Sequence, residues 1–156
     1  MHERIRKVLE ENRVPFRLRL HREFAVPIRS PADFAKALGY VPERIAKTIL
    51  LRNQAKSFFC LVTLPAQYRL NFGAVAECAQ SGRLELASTE ELKRALDYPP
   101  LSVSPLGADG LGVFVDSNLT EFETVLIGAG TVGEELEIAP GHLVSLAGAT
   151  VAGLAM

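Results

Sequence analysis

The chain has 156 residues, 48% hydrophobic and 22% charged, and this length predicts a single domain spanning 1–156 with apolar mass for a sizeable core. No apolar run approaches the roughly 18 residues of a membrane span, and the charged start MHERIRKVLEEN is no secretory leader, so a cytoplasmic, membrane-free protein is expected. Residues 1–52 hold twelve Lys/Arg against six acids, a net +6, which leaves −7 on residues 53–156; this asymmetry predicts either an anionic partner or mutual neutralisation of the two halves in the fold.

In chain order, residues 2–12 show Ile5, Val8 and Leu9 at helical spacing. Pro15 ends that helix. Phe16 to Leu20 alternates as a strand, with Phe16, Leu18 and Leu20 expected inward and Arg17 and Arg19 outward. His21 stands at the strand end or lines a pocket. Ser30-Pro31-Ala32-Asp33 is a helix start, with Ser as N-cap, Pro at the first helical position and Gly39 as the C-terminal stop.

The stretch Val41 to Arg52 (VPERIAKTILLR) turns at Pro42 and leads into Ile49-Leu50-Leu51, a strand expected to be buried on both faces. Lys47 stands at its mouth. A lysine there either lays its stem over apolar surface with the ammonium in water or aims that ammonium into a cleft at an anionic or carbonyl oxygen. Asn53 to Lys56 then separates this strand from a hairpin partner, Ser57 to Leu64. Asn71 caps a helix through Cys78, Leu84 to Ala87 is a short strand, and Ser88 with Glu91 forms a capping box for a helix to Leu96.

Asp97 to Gly107 (DYPPLSVSPLG) is a loop by its prolines and serines. Leu111 to Asp116 and Thr124 to Gly128 read as strands. Gly128 to Gly133 (GAGTVG) has the spacing of a dinucleotide fingerprint but precedes the short strand Leu136 to Ile138 rather than a long helix. It is therefore read as a tight strand connection and not as a phosphate loop. Pro140 to Leu146 is a last helix and Thr150 to Leu154 a last strand. Cys60 and Cys78 lack metal-ligand spacing and are expected to be buried, inert thiols. His2, His21 and His142 are scattered, so neither a zinc site nor any other metal or cofactor is expected. The irregular order of strands and short helices predicts an α/β (α+β-like) fold: a mixed, curled sheet with helices around it.

Three stretches together resemble the YbaK/ProX family of aminoacyl-tRNA deacylases, the free-standing relatives of a prolyl-tRNA synthetase editing domain. They are VPERIAKTILLR, LSVSPLG at 101–107, and LIGAGTVGEELEIAPGHLVSLAGATVA. The resemblance implies a barrel-like mixed sheet and hydrolysis of the ester between a wrong amino acid and its tRNA, with aminoacyl-tRNA and a tRNA synthetase as partners and no role for DNA. It places Lys47 as the catalytic lysine of the pocket. Thr48 follows it, as in the branch that clears cysteinyl-tRNA(Pro). The substrate loop is carried by Leu101, Ser102, Val103, Ser104 and Pro105, with Leu101 where the family has a glycine. His21 and Glu135 complete the expected substrate-binding set.

No Ser-His-Asp or Cys-His set is visible, so the expected mechanism stabilises charge. Lys47 and loop amides around Ser102 to Ser104 hold the ester or terminal phosphate while water or a substrate hydroxyl attacks. Arg17, Arg19, Arg22 and Arg44 are candidate contacts to acceptor-stem phosphates, or else a solvated strand face. The alternative function is a non-catalytic module of the same fold that binds a ligand, tRNA or regulatory partner, with Leu101 the residue in its favour.

Overall fold

The computed structural model describes residues 1–156. Its elements run α1 (Glu3–Glu11), β1 (Arg17–Leu20), α2 (Pro31–Leu38), β2 (Ala46–Asn53), β3 (Phe59–Pro65), α3 (Phe72–Ala79), β4 (Leu84–Leu86), α4 (Thr89–Leu96), β5 (Gly112–Asp116), β6 (Val125–Gly128), β7 (Glu134–Ile138), α5 (Pro140–Ala147) and β8 (Thr150–Ala152). Short 3-10 turns at Pro42–Arg44 and Pro100–Ser102 open the two stretches singled out in the sequence.

Local chemistry accounts for the boundaries. Ser30 Oγ accepts from the Asp33 amide at the start of α2, and Gly39 ends it at φ +72°. Asn71 caps α3 through the Ala74 amide, and Ser88 and Glu91 form the reciprocal capping box of α4. The turn between β2 and β3 is held by Asn53, whose Oδ1 accepts from the amides of Ser57 and Phe58.

Two sheets result. Five strands run in the order β4-β2-β3-β5-β8, with β4, β2 and β3 antiparallel and β3, β5 and β8 parallel. Three antiparallel strands, β1-β7-β6, form the second sheet. The sheets meet at one bridge, Ile45 to Leu126, and do not close into a barrel, which corrects the barrel-like expectation.

The main core lies between the sheets, closed by Ile5 and Leu9 of α1, Leu92 and Leu96 of α4 and Leu143 of α5. A second cluster lies under α3, where Val75 meets Leu51, Cys60, Val62 and Leu64. Leu50 belongs to the first cluster and Leu51 to the second, so β2 is buried on both faces as its continuous apolar run predicts. Phe34 and Ala35 of α2 cover the junction at Ile45 and Leu126.

Three expectations change. β2 begins at Ala46, so Lys47 is a strand residue opposite Leu64 rather than a residue ahead of the strand. Cys78 is exposed on α3, while Cys60 is buried and its thiol is pushed up to about 11 by burial. Arg19 does not point into solvent. Its Nε donates to Glu137 Oε1 at 2.7 Å, because the outer face of β1 and β7 is covered by Tyr40 and Arg44 from the segment after α2.

Candidate active site

The residues around Lys47 enclose a pocket of about 520 Å³ where the two sheets meet. One wall is the start of β2, with Ile45, Ala46, Lys47 and Thr48. A second is the 3-10 turn and its exit, with Pro100 to Val103. The β6–β7 turn contributes Gly128, Val132 and Gly133 together with Glu134 and Glu135 of β7. His21, Arg29 and Ser30 close the mouth. A larger trough of about 730 Å³ between α3 and β4 is an open surface feature, lined by residues such as Phe72 and Leu86.

Strand register brings the acid end together. In the β1–β7 ladder, Leu20 faces Glu134 and Arg19 faces Glu135, and the His21 amide continues the pairing by donating to Gly133 O at 2.9 Å. That pairing sets His21 Nε2 at 2.6 Å from Glu135 Oε2. Glu135 is held above the ordinary carboxylate value, because its burial outweighs the opposing effect of His21.

The cationic end is Lys47, whose pKa is lowered by burial alone, with no neighbouring carboxylate compensating it. Beside it, Thr48 Oγ1 and the buried Thr63 Oγ1 are 2.9 Å apart across β2 and β3, which fixes the Thr48 side chain.

The loop between the ends depends on a glycine that in the sequence reads only as a turn residue. A Cβ on Gly128 would lie 2.2 Å from Val103 O and 2.9 Å from Ser102 C, so only glycine lets this backbone lie against β6. The Gly130 amide donates to Ser102 O at 2.9 Å and ties the same loop to the β6–β7 turn. Close approach of two backbones is the signal that marks Gly128. It is hidden in the sequence because the partner segment lies far away along the chain.

Of the expected site residues, Lys47, Thr48, His21, Glu135, Leu101, Ser102 and Val103 share this pocket. Ser104 and Pro105 are buried behind its wall, and Ser104 Oγ accepts from the Leu106 amide at 3.2 Å. Leu101 stands at the rim with 90% of its surface exposed and fills no part of the interior. Its φ is not positive, so the turn here does not require glycine.

The four arginines divide. Arg17 and Arg22 are exposed. Arg19 and Arg44 are drawn to Glu137, which is 5% exposed and also accepts from Tyr40 OH at 2.8 Å and Thr124 Oγ1 at 2.6 Å. Burial works against the Glu137 anion, but Thr124, Tyr40 and Arg19 hold its pKa below the ordinary carboxylate value.

Known proteins share both sequence and shape with this chain. A candidate Cys-tRNA(Pro)/Cys-tRNA(Cys) deacylase, EbsC of Enterococcus faecalis, is 22% identical over 143 residues, covering 90% of this chain and 85% of the relative. The crystal structure of the hypothetical protein APE2540 superposes with a TM-score of 0.86 at 27% identity, covering 99% of this chain and 100% of the other. A candidate trans-editing enzyme for prolyl-tRNA synthetase superposes with a TM-score of 0.82 at 22% identity, covering 100% of this chain and 99% of the other. A sequence model of the aminoacyl-tRNA editing domain matches residues 25–146, which include nearly all of the pocket wall, and the chain therefore belongs to the aminoacyl-tRNA editing domain family.

Proposed function

We propose that this protein is a trans-editing hydrolase, acting in the cytoplasm, that removes a small amino acid from a mischarged tRNA, with cysteinyl-tRNA(Pro) the first substrate to try. The observation that carries the reading is the half-buried Lys47 ammonium, which has no carboxylate beside it and opens onto a pocket walled by the 100–103 loop. A desolvated cation without a protein counter-charge is stabilised when a ligand brings negative charge to it.

The acyl carbon of the ester is attacked by water or by a hydroxyl or thiol of the substrate. Negative charge grows on the carbonyl oxygen, the bond to the ribose oxygen breaks, and that oxygen takes a proton. Lys47 faces the developing charge. The Ser102 amide is already committed to Pro99 O at 2.9 Å, so the Val103 amide is the loop donor in this reading. Specificity follows from the size of the pocket, which admits a small side chain and leaves a larger one at the rim.

The test is deacylation of a panel of mischarged tRNAs by the wild type and by Lys47→Ala. Turnover of at least one small-amino-acid tRNA, lost in the variant, is the expected result. A panel on which neither protein acts, with tRNA or ligand binding intact, would instead identify a binding module of the same fold.

A further inference from the structure

The pocket carries a second charge, opposite in sign to Lys47 and not paired with it. The Glu135 side chain is 16% exposed, and its Oε2 takes the hydrogen bond from or to His21 Nε2 at 2.6 Å. Its Oε1 has no hydrogen-bond partner in the chain, yet no sealed polar atom goes unsatisfied, so that oxygen opens onto the pocket. The neighbouring carboxylate, Glu134, is taken by the amino group of Met1 at 2.5 Å. Glu137, two residues on, is saturated by Arg19, Tyr40, Arg44 and Thr124. Of these three acids of β7, Glu137 has both oxygens taken and Glu134 spends Oε1 on the Met1 amino group, while Glu135 lines the pocket with Oε1 open and Oε2 fixed by His21.

A cavity of about 520 Å³ with an uncompensated ammonium at one wall and an open carboxylate oxygen at another fits a ligand of complementary polarity. The aminoacyl end of a tRNA has that polarity: a carbonyl and phosphates on one side, and a protonated α-amine one carbon from the ester. On the proposed reading of the site, we infer that Glu135, oriented by His21, receives the α-ammonium of the aminoacyl group, so that the protein acts on aminoacyl-tRNA with a free amine and rejects N-acylated or peptidyl-tRNA. An N-acyl substrate presents an uncharged amide with added bulk to the same oxygen. His21 supports the selection by holding Oε2, which leaves Oε1 as the acceptor. Arg29, at the mouth, is the other cation lining the pocket and lies on the segment before α2.

The probe is 3′-(L-alanylamino)-3′-deoxyadenosine, whose amide linkage resists hydrolysis, compared with its N-acetyl form by calorimetry on the wild type and on Glu135→Gln. The wild type is expected to bind the free amine at least about tenfold more tightly, as for a hydrogen bond between charged groups, and Glu135→Gln to bind both forms within about twofold. Circular dichroism melting of Glu135→Gln reports that the variant is folded. Equal binding of the two forms by the wild type overturns the inference, as does a preference that survives in Glu135→Gln. No binding of the free-amine form at millimolar concentration also overturns it. In parallel, the tRNA that is best hydrolysed in the deacylation panel is N-acetylated and assayed again, and a loss of turnover is expected. A binding preference without any hydrolysis would sink the hydrolase reading while leaving the amine contact intact. Hydrolysis without preference would do the reverse.

Discussion

A half-buried ammonium with no carboxylate beside it destabilises the fold that carries it, and this separates a role for Lys47 in chemistry from one in stability. Its folded pKa lies below its unfolded value because of burial. The folded state therefore holds that proton less tightly than the unfolded state does. The resulting penalty is fully present below the folded pKa and disappears as pH rises through the window up to the ordinary lysine value. Lys47→Met is accordingly expected to melt at or above the wild-type temperature at pH 7. Its turnover should fall about 10²- to 10³-fold, as when a preorganised donor to an oxyanion is lost. A variant that melts well below the wild type would make Lys47 a structural residue. Leu101 sits 90% exposed at the rim, so Leu101→Gly should leave the melting temperature within a degree or two and change only which acyl groups are admitted. The same panel of mischarged tRNAs reads this out, and a collapse of all activity would show that the rim leucine holds the loop.

Pairing between elements builds the rest of the site. Residues 17, 19 and 21 lie on the same face of the three-stranded sheet as Glu135 and Glu137, and alternation alone assigns that face to solvent. In the fold it carries the Glu137 cluster and the acid end of the pocket. The opposite wall depends on β6 letting the 100–103 loop approach. Gly128→Ala puts a Cβ 2.2 Å from a carbonyl oxygen that belongs to backbone and cannot swing aside. We expect about 2 kcal/mol of destabilisation in urea unfolding, the cost of overpacking, together with at least a tenfold loss of deacylation. Wild-type stability in Gly128→Ala would mean that the loop is free to shift and does not define the pocket.

Across the whole molecule, part of the charge asymmetry is consumed internally. Bases of the N-terminal half meet acids of the C-terminal half at Arg19 and Arg44 with Glu137, and at Arg52 with Glu85 and Glu91. Arg17, Arg22 and Arg29 are among the exposed bases left without an acidic partner, with Arg29 at the pocket mouth. If these three contact tRNA phosphates, the slope of log affinity against log salt should be about −2 to −3, with each arginine supplying roughly 0.7–0.9 of it. Replacing all three by alanine should flatten that slope in filter binding without lowering the melting temperature. An unchanged slope would show that the tRNA is held elsewhere. Arg19→Ala and Arg44→Ala should act differently, lowering stability because each weakens the set of donors that holds a nearly buried carboxylate.

Features that depend on neighbouring residues are legible in the sequence by itself. Ser30, Asn71 and Ser88 mark helix starts because capping is a contact between residues three apart. The β2–β3 hairpin and the two-faced burial of β2 follow from one apolar run and a four-residue polar break. The glycines after β6 read as a strand connection rather than a phosphate loop because no long helix follows them. Resemblance picks out Lys47 and the 101–103 loop, and tertiary structure brings both to one pocket. The remaining features rest on contacts between residues far apart in the chain: Glu137 with Arg19 and Arg44, Gly128 against Val103, and His21 against Glu135. Strand alternation says that two faces exist but not what lies over each. Only the fold put Tyr40 and Arg44 over the outer face of β1 and β7, leaving Arg19 partnered; only the fold left Cys78 in solvent and stopped the two sheets short of a closed barrel.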